Sequence, residues 1–451
     1  MDKDKLASII VLLSFIIDIV ILYANFIASI KLILIIVSII TTSYLVTKIK
    51  RIKLYYGIAY LVGTKKGINL ISRLATNYKR LFELIANLGL VMGFGLISSK
   101  LVKEKKFLFL GILVILASEI FILPFIGVGL NFIYLPQITT KVSASTYQGI
   151  DLLPIISILI SIIGGFSAYI LFLLLYSDFN LFFVLLFEPR YITNEPPGIA
   201  PLIPGITLPL SSGIAAIALL LLAHEFSHGI LAKIKKNNPS KIGIILAGWI
   251  PLGAFVKIDD KKLKKMKVKD KVDIAIAGVA TNFILFIVFG LITYLFVTMI
   301  LPTTPFEYAS IYALKNSPAS AVIQNGSKLI SWNGVNISNL EELYSIKEIP
   351  NSIVTLVTNN GTYRIESNSS GKIGVIIIPR YSGLFNFIYG FIALSFMLNF
   401  FVALVNLLPL PGLDGWYIYD SLTKNKKIKE FLIWITFLSF LIQALPWLWS
   451  F

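Results

Sequence analysis

The feature that most constrains this chain is a pair of histidines, His224 and His228, the only two among its 451 residues. They stand four positions apart in His-Glu-Phe-Ser-His and follow a run from Gly213 to Ala223 that contains no polar side chain. Residues four apart share one face of an α-helix, so both imidazoles can reach one metal ion. Glu225 stands beside the first histidine, where it can act as a base toward water at that ion. The spacing predicts a zinc-protease type of metal site on a helix apolar enough to lie in a membrane.

The composition indicates an all-α, multi-pass protein of the cell membrane. Hydrophobic residues make up 57% of the chain and charged residues 14%, and the mean hydropathy is +0.84. A soluble domain is closer to half apolar and a quarter charged. The net charge of +17 arises from Lys and Arg in short loops beside apolar runs, which is the positive-inside pattern and does not indicate nucleic acid. The absence of cysteine excludes disulfides, thiolate zinc sites and iron–sulfur clusters.

The hydropathy pattern predicts about eight to ten membrane spans, each of which needs about 20 apolar residues. The predicted spans cover residues 6–29, 32–47, 82–99, 107–130, 151–176, 206–232, 272–301, 383–409 and 431–450. Two shorter apolar stretches, 54–63 and 179–188, are predicted to be re-entrant or interfacial. The loops 48–81 and 100–106 are both basic although one predicted span separates them, so the topology of the N-terminal half stays open.

Residues 302–382 form a polar insert, rich in Asn, Ser and Gly, with short alternating stretches that predict β-strands. We expect a small β-rich domain on the extracytoplasmic side. All the Asn-x-Ser/Thr sequons of the chain lie in it, which supports an exterior location weakly because any Asn- and Ser-rich segment generates them. The sequons begin at Asn325, Asn336, Asn360 and Asn368. The predicted organisation is N-terminal transmembrane helices in 1–200, a catalytic membrane core in 201–301, the β-rich domain in 302–382 and a C-terminal membrane core in 383–451.

The third ligand of the predicted metal site has to be a carboxylate. A catalytic zinc usually has three protein ligands and a water, and the chain has no further histidine and no cysteine. The acidic residues at predicted membrane depth are Asp18, Glu83, Glu119, Glu225 and Asp414. Asp414 follows Pro409, Pro411 and Gly412, which break the helix that begins near 383. Broken helix at membrane depth is tolerated only where it is buried in protein or lines a cavity, and an acid there is a functional candidate.

Counting from basic anchors places the candidate residues at one depth. His228 and His224 lie five and nine residues before Lys233, or roughly 7–14 Å at 1.5 Å per helical residue. Asp414 lies ten residues before Lys424, roughly 15 Å or less, and Asn282 lies eleven residues after Lys271, roughly 16 Å. These elements can therefore meet in the cytoplasmic half of the membrane.

The motifs resemble those of the site-2 protease family of intramembrane zinc metalloproteases. The resemblance rests on His-Glu-Phe-Ser-His and on Asn406-Leu-Leu-Pro-Leu-Pro-Gly-Leu-Asp-Gly415, and it covers about 200–424. Between these motifs, Ala277 to Asn282 is similar to the Gly-Pro-x-x-Asn element of that family, with Val279 in place of proline. The stretch Trp249 to Val256 resembles the membrane-embedded hairpin of the family.

The insert 302–382 resembles a PDZ domain. The resemblance is carried by Ser317-Pro318-Ala319, Asn325-Gly326, Leu329-Ile330 and Asn333-Gly334, with Ser327 where an acid is usual.

These resemblances imply one zinc ion per chain, bound by His224, His228 and Asp414, with Glu225 as the general base. Asn282 is implied to donate a hydrogen bond to the substrate carbonyl or the developing oxyanion. The implied reaction is cleavage of transmembrane segments in regulated intramembrane proteolysis. The expected partners are the lipid bilayer and single-span membrane proteins that another protease has already trimmed outside. No nucleic-acid partner is expected.

Several alternatives stay open at this point. Asp414 can instead cap the helix that follows it, and Asn282 can tie two helices together. Asn406 is expected to be structural, and Asp18 and Glu119 are expected to be paired within the helix bundle. The alternative functions are a membrane metalloprotease of the prenyl-protein-processing type and a polytopic metal or ion transporter, which would show repeated broken helices.

Overall fold

The computed structural model describes residues 2–24, 28–130, 153–187, 202–314, 317–347 and 349–445. Its α-helices are α1 (Lys3–Tyr23), α2 (Ala28–Lys50), α3 (Ile68–Asn77), α4 (Lys79–Phe94), α5 (Lys105–Ala117), α6 (Ile126–Leu130), α7 (Leu153–Phe187), α8 (Leu210–Ile234), α9 (Asp260–Lys265), α10 (Val268–Leu295), α11 (Leu340–Tyr344), α12 (Gly383–Asn406), α13 (Asp414–Leu422) and α14 (Lys426–Ala444). Its strands are β1 (Leu54–Tyr55), β2 (Ala59–Thr64), β3 (Lys241–Ala247), β4 (Ile250–Lys257), β5 (Tyr308–Ala313), β6 (Ser327–Trp332), β7 (Val335–Asn336), β8 (Ile353–Thr358), β9 (Gly361–Glu366) and β10 (Val375–Arg380). Helical content predominates, as expected, and the β-structure is confined to two sheets of the described chain.

Seven helical segments of the described residues are long and apolar enough to cross a membrane, fewer than the eight to ten predicted. These segments are 33–50, 79–100, 105–130, 153–187, 210–234, 268–300 and 383–406. The two predicted spans that do not qualify, 6–29 and 431–450, correspond to α1 and α14. Helix α14 begins with Lys426, Lys427, Lys429 and Glu430, which shortens its apolar part, whereas α1 carries Lys3, Asp4 and Lys5 in its first turn and Asp18 further along. Residues 25–27, 151–152 and 446–450 of the predicted spans lie outside the described residues.

The two short apolar stretches form different structures, and their re-entrant or interfacial location stays a prediction. Residues 54–63 form β1 and most of β2. Residues 179–187 continue α7, and 188 lies outside the described residues.

Helix α10 is the centre of the membrane bundle and packs against α4, α8 and α12. Aromatic side chains fill the interface with α12, where Phe286 stacks on Phe396 with ring centroids 5.3 Å apart. On the α4 side the backbones approach so closely that a Cβ on Gly89 would lie 2.2 Å from the Cβ of Ala280. Small residues at such crossings allow the close packing on which helix association in a membrane depends. This packing fixes α10 beside α8, the helix that carries both histidines.

Strands β1 to β4 form an antiparallel sheet in the order β1-β2-β3-β4. The hairpin β3–β4 confirms the predicted hairpin around 249–256. Its two-residue loop begins with Gly248, whose φ of +57° is a conformation that favours glycine. The distant strand β2 pairs along β3, from Ala59 opposite Ala247 to Thr64 opposite Ile242. Because β2 covers one side of the hairpin, β4 is the edge strand of this sheet within the described part of the chain.

Three N-terminal side chains hold the loop of this hairpin. The Trp249 Nε1–H donates to Asp18 Oδ2 at 2.6 Å, and the Gly248 N–H donates to Ser43 Oγ at 2.7 Å. The Tyr60 hydroxyl donates to the Gly248 carbonyl at 2.6 Å. The expectation that Asp18 is paired within the bundle is thus confirmed. For Glu119 the same expectation stays a prediction, because its buried carboxylate lies beside the hydroxyl of Ser161 on α7 without forming a hydrogen bond of normal geometry within the described residues.

The insert forms a six-stranded antiparallel sheet in the order β10-β5-β6-β8-β9, with β7 paired to β6. Its core includes Ile311, Leu356 and Ile365, and it is separate from the core of the membrane bundle. The predicted β-rich domain is therefore present between α10 and α12. Its likeness to a PDZ domain and its side of the membrane stay predictions.

A cluster of charges joins α4, α8 and α10 at the basic end of the bundle. The ammonium of Lys235 lies 3.0 Å from Asp273, which is almost fully buried, and 3.5 Å from both Glu83 and Asp270. The ammonium of Lys269 also contacts Asp273. Burial acts to lower the pKa of Lys235, but the neighbouring carboxylates, Asp273 above all, outweigh burial and raise that pKa. Lys235 therefore stays charged and fixes the end of α8 that follows the two histidines.

Candidate metal centre

Helix α8 presents His224 and His228 on one face, as their spacing predicts. The two Nε2 atoms are 3.1 Å apart, and both side chains are largely buried. The helix is held against α10 at this level by a hydrogen bond of 2.6 Å between the hydroxyls of Ser227 and Thr281. Both imidazoles therefore face one point between α8 and its neighbours.

The break after α12 brings Asp414 to the same point. Helix α12 ends at Asn406, Pro409 and Pro411 cannot continue it, and Gly412 adopts a φ of +101°. Helix α13 then starts at Asp414 itself, whose Oδ2 lies 3.2 Å from Nε2 of both histidines. The alternative role of Asp414 as a helix cap is not what the structure shows, because Leu413 occupies the N-cap position.

The three atoms fit a metal ion. Their separations of 3.1 Å, 3.2 Å and 3.2 Å form a nearly equilateral triangle. A tetrahedral zinc with bonds of about 2.0–2.1 Å separates its ligand atoms by about 3.4 Å. The buried Asp414 Oδ2 accepts no hydrogen bond from the described residues, so three acceptor atoms converge without a donor between them. Among the described residues, His224, His228 and Asp414 form a group whose ligand atoms lie close enough together to bind one metal ion.

The outer ring nitrogens are also engaged. The Nδ1 of His228 lies 2.7 Å from the carbonyl oxygen of Ile274. A carbonyl can only accept, so Nδ1 carries the proton and Nε2 keeps the lone pair that a metal requires. His228 is thereby oriented by the backbone of α10.

Asn282 plays the corresponding part for His224. Its side-chain amide is buried, with the nitrogen placed 3.1 Å from His224 Nδ1 and the oxygen without a hydrogen-bond partner among the described residues. Amide oxygen and nitrogen are assigned from the hydrogen-bond network. For His224 to bind a metal through Nε2, its Nδ1–H must donate a hydrogen bond. The oxygen of the Asn282 amide, and not its nitrogen, therefore faces Nδ1. The structure thus joins α10 to α8 through Asn282, as the helix-tying alternative expects.

Glu225 lies beside this group. Its carboxylate is near both histidines and Asp414, next to the backbone of Val256 in β4. The candidate base is therefore between the metal ligands and the edge strand of the hairpin. Of the other acidic candidates, Asp18 pairs with Trp249 and Glu83 with Lys235, so neither belongs to this group.

Gly278 belongs to this centre, although sequence reasoning gave it no role. A Cβ on Gly278 would lie 2.5 Å from Nε2 of each histidine. Only a residue without a side chain lets α10 pass this close to the two imidazoles. The signal was present, because Gly278 stands at the glycine of the Gly-Pro-x-x-Asn element.

The family model described as peptidase family M50 matches residues 212–443, which include both motifs of this centre. The chain belongs to peptidase family M50. The resemblance to site-2 proteases is confirmed by this match. The family is one of zinc metalloproteases, and the donor set fits that metal. An uncharacterized protein of Methanocaldococcus jannaschii is 32% identical to this M50 chain over 241 residues, which are 50% of this chain and 61% of that relative. The match therefore spans about three fifths of the length of the relative.

A methyl group on Gly278 should expel the metal. We expect Gly278→Ala to displace both Nε2 atoms and to reduce bound zinc to less than one tenth of the unaltered protein. The matched control is Gly127→Ala in α6, where a Cβ would meet nothing within 4 Å. Zinc per chain is measured by elemental mass spectrometry on purified protein with an unchanged helical circular dichroism spectrum. Full zinc content in Gly278→Ala would contradict the geometry.

Asn282 should act on metal affinity as a hydrogen-bond acceptor. Loss of such an outer partner typically weakens metal binding about 10–100-fold, and we expect this for Asn282→Leu. Asn282→Asp keeps an acceptor oxygen and should retain most of the affinity. Competition with a chelator of known zinc affinity measures both variants. Equal loss in both would show that the amide hydrogens, and not the oxygen, are what the site requires.

Proposed function

We propose that this M50 chain is an intramembrane zinc metalloprotease that cleaves transmembrane segments of membrane-anchored proteins in regulated intramembrane proteolysis. The observation that carries the proposal is the convergence of His224, His228 and Asp414, with Glu225 beside them, inside a bundle of membrane-length helices. The basic loops at the end of α8 and before α10 support a location of this centre in the cytoplasmic half of the bilayer.

The residues around the centre suit peptide hydrolysis. A zinc ion held by His224, His228 and Asp414 would supply a Lewis acid for the scissile carbonyl and would make water more acidic. Glu225 would take the proton of the attacking water and return it to the leaving amine. Asn282 is engaged with His224, so we assign it to orienting that ligand; its direct contact with the substrate stays a prediction.

Glu225→Gln should separate metal binding from cleavage. The amide keeps the shape of the side chain but cannot accept the proton, so we expect zinc content to stay at one per chain. Cleavage of a single-span substrate should fall at least about 100-fold, the lower range for loss of a general base. Glu366→Gln on the exposed surface of β9 is the control. Cleavage at the unaltered rate in Glu225→Gln would remove Glu225 from the mechanism.

The edge strand β4 is proposed to hold the substrate. A helical substrate hides its peptide bonds and must unwind before hydrolysis, and an extended segment can add to a free sheet edge through main-chain hydrogen bonds. Strand β4 is such an edge, and its Val256 adjoins Glu225. The opposite side of the hairpin is covered by β2, which restricts strand addition to the side of the candidate base.

This proposal predicts a position-specific cross-link. Because the chain contains no cysteine, Leu252→Cys in β4 creates a unique thiol, and Leu252 is 57% exposed. In the Glu225→Gln background it should cross-link to a substrate with a single cysteine near its cleavage site. The control is Val62→Cys in β2, which lies two strands away from β4. Val62 is 37% exposed. Stronger cross-linking at position 62 would contradict strand addition at β4.

For the β-rich domain, we propose a PDZ-like fold on the extracytoplasmic side that selects substrates already trimmed outside. Such a domain can select its substrates in two ways, by excluding large ectodomains or by binding a new C-terminus. A groove of about 530 Å³ favours binding. It is lined by residues of the edge strand β10 and of α11, including the apolar Leu340 and Val375, and by the lysines Lys347 and Lys372. An extended peptide with a terminal carboxylate matches a free strand edge that has positive charge beside it.

Binding in this groove should depend on the terminal charge. A fluorescent peptide with an apolar C-terminal residue and a free carboxylate should bind the purified protein more tightly than its amidated form. Lys372→Glu should weaken binding of the free carboxylate at least about tenfold, whereas Lys328→Glu on β6, outside the groove, should not. Equal binding of the carboxylate and amide peptides by the unaltered protein and by both variants would contradict recognition of a C-terminus and favour size exclusion.

The rival functions fit less well. The third ligand arises from the break between α12 and α13, a context that distinguishes this chain from prenyl-protein-processing enzymes. A transporter would show a second, corresponding break lined by polar groups. Helix α7 does have a non-helical residue, Gly165, but a Cβ there would lie 2.3 Å from the backbone of Gly93. That break serves close helix packing.

A further inference from the structure

The N-terminal helices enclose a groove that takes no part in the proposed catalysis. A cavity of about 460 Å³ lies between α1, α2 and the β2–β3 part of the sheet. Its wall is almost entirely apolar and consists of Ala7, Val11, Leu12, Phe15, Val46 and Leu246, with Tyr60, Val62 and Trp249 beside them. The α1 residues recur at helical spacing, so a single face of α1 forms one side of the groove.

A polar cleft continues this groove at one end. It has a volume of about 390 Å³ and shares Lys50 and Val62 with the apolar cavity. Its other charged residues are Lys3, Asp4 and Lys241. Lys50 is paired with Asp4 at 2.9 Å, whereas Lys3 and Lys241 make no ion pair within the described part of the chain. The cleft therefore presents uncompensated positive charge at the mouth of an apolar channel.

The groove is long enough for one hydrocarbon chain of a membrane lipid. From Lys3 to Phe15, α1 advances about 18 Å at 1.5 Å per residue, slightly more than half of a hydrocarbon core of about 30 Å. The far end is closed by the edge-to-face contact of Phe15 and Trp249, with ring centroids 4.9 Å apart. A lysine cluster at one end and an aromatic contact at the other are the complement of an anionic headgroup and its hydrocarbon chain.

We propose that this groove binds an anionic membrane lipid, with its phosphate at Lys3 and Lys241 and one hydrocarbon chain along α1. Basic residues at a membrane surface attract anionic headgroups, and apolar burial holds the chain. A substrate segment is a less suitable occupant, because the edge strand β4 lies on the other side of β3 from β2. The groove lies largely outside the part of the chain that matches the M50 family model.

The test measures lipid retention and needs no catalytic activity. The purified full chain is placed in nanodiscs of phosphatidylcholine with or without phosphatidylglycerol, extracted into mild detergent and analysed by native mass spectrometry. The unaltered protein should retain about one phosphatidylglycerol per chain in preference to phosphatidylcholine. The double variant Lys3→Ala/Lys241→Ala removes the unpaired charges, and it should weaken retention of phosphatidylglycerol about 30-fold, since each lysine near the surface contributes about a factor of five.

A second variant tests the chain site independently of charge. Val11→Trp fills the groove and should abolish retention, whereas Leu13→Trp, on the exposed face of α1, should not change it. Lys426→Ala/Lys427→Ala removes the same charge from α14 and is the control for the headgroup site. Equal retention by all variants, or retention of both lipids without preference, would overturn the proposal and indicate only an adventitious lipid.

Discussion

The structure depends on the meeting of three acceptor atoms, from His224, His228 and Asp414, inside a bundle of apolar helices. Such atoms are costly in a membrane interior unless a cation or a donor compensates them. The three atoms lie about 3 Å from one another, and a metal ion bound to all three would compensate their charge at this distance. A helix has to carry the two histidines, and a second element has to deliver a carboxylate at the same depth. The break that precedes Asp414 meets the second requirement.

Helix α10 supports this centre without contributing a metal ligand. Its Ile274 carbonyl orients one imidazole, its Asn282 amide orients the other, and its Gly278 leaves room for both. These contacts require α10 to lie against α8 with little tolerance, and Ser227 and Thr281 join the two helices at that level. The aromatic packing of α10 on α12 extends the same restraint toward the helix that precedes Asp414. The geometry of the metal centre therefore depends on how the helices of the bundle pack.

The centre could be predicted from the sequence because chemical alternatives were scarce. With two histidines and no cysteine, elimination led to an acid at a helix break, and Asp414 is where the structure places the third ligand atom. The role of Gly278 could not be predicted, since it depends on how closely two helices cross. The pairing of β2 with β3 also escaped prediction, because Ala59 and Ala247 are far apart in the chain and short apolar strands resemble membrane segments.

The most direct test of the account is a zinc-edge X-ray absorption spectrum of the purified chain, together with its zinc content. We expect one zinc per chain with nitrogen and oxygen ligands only, two of the ligands being imidazoles. In His224→Ala we expect the zinc content to fall, and any zinc that remains should show less imidazole scattering. A folded protein without zinc, or a spectrum that His224→Ala leaves unchanged, would contradict the claim that His224, His228 and Asp414 hold one metal ion.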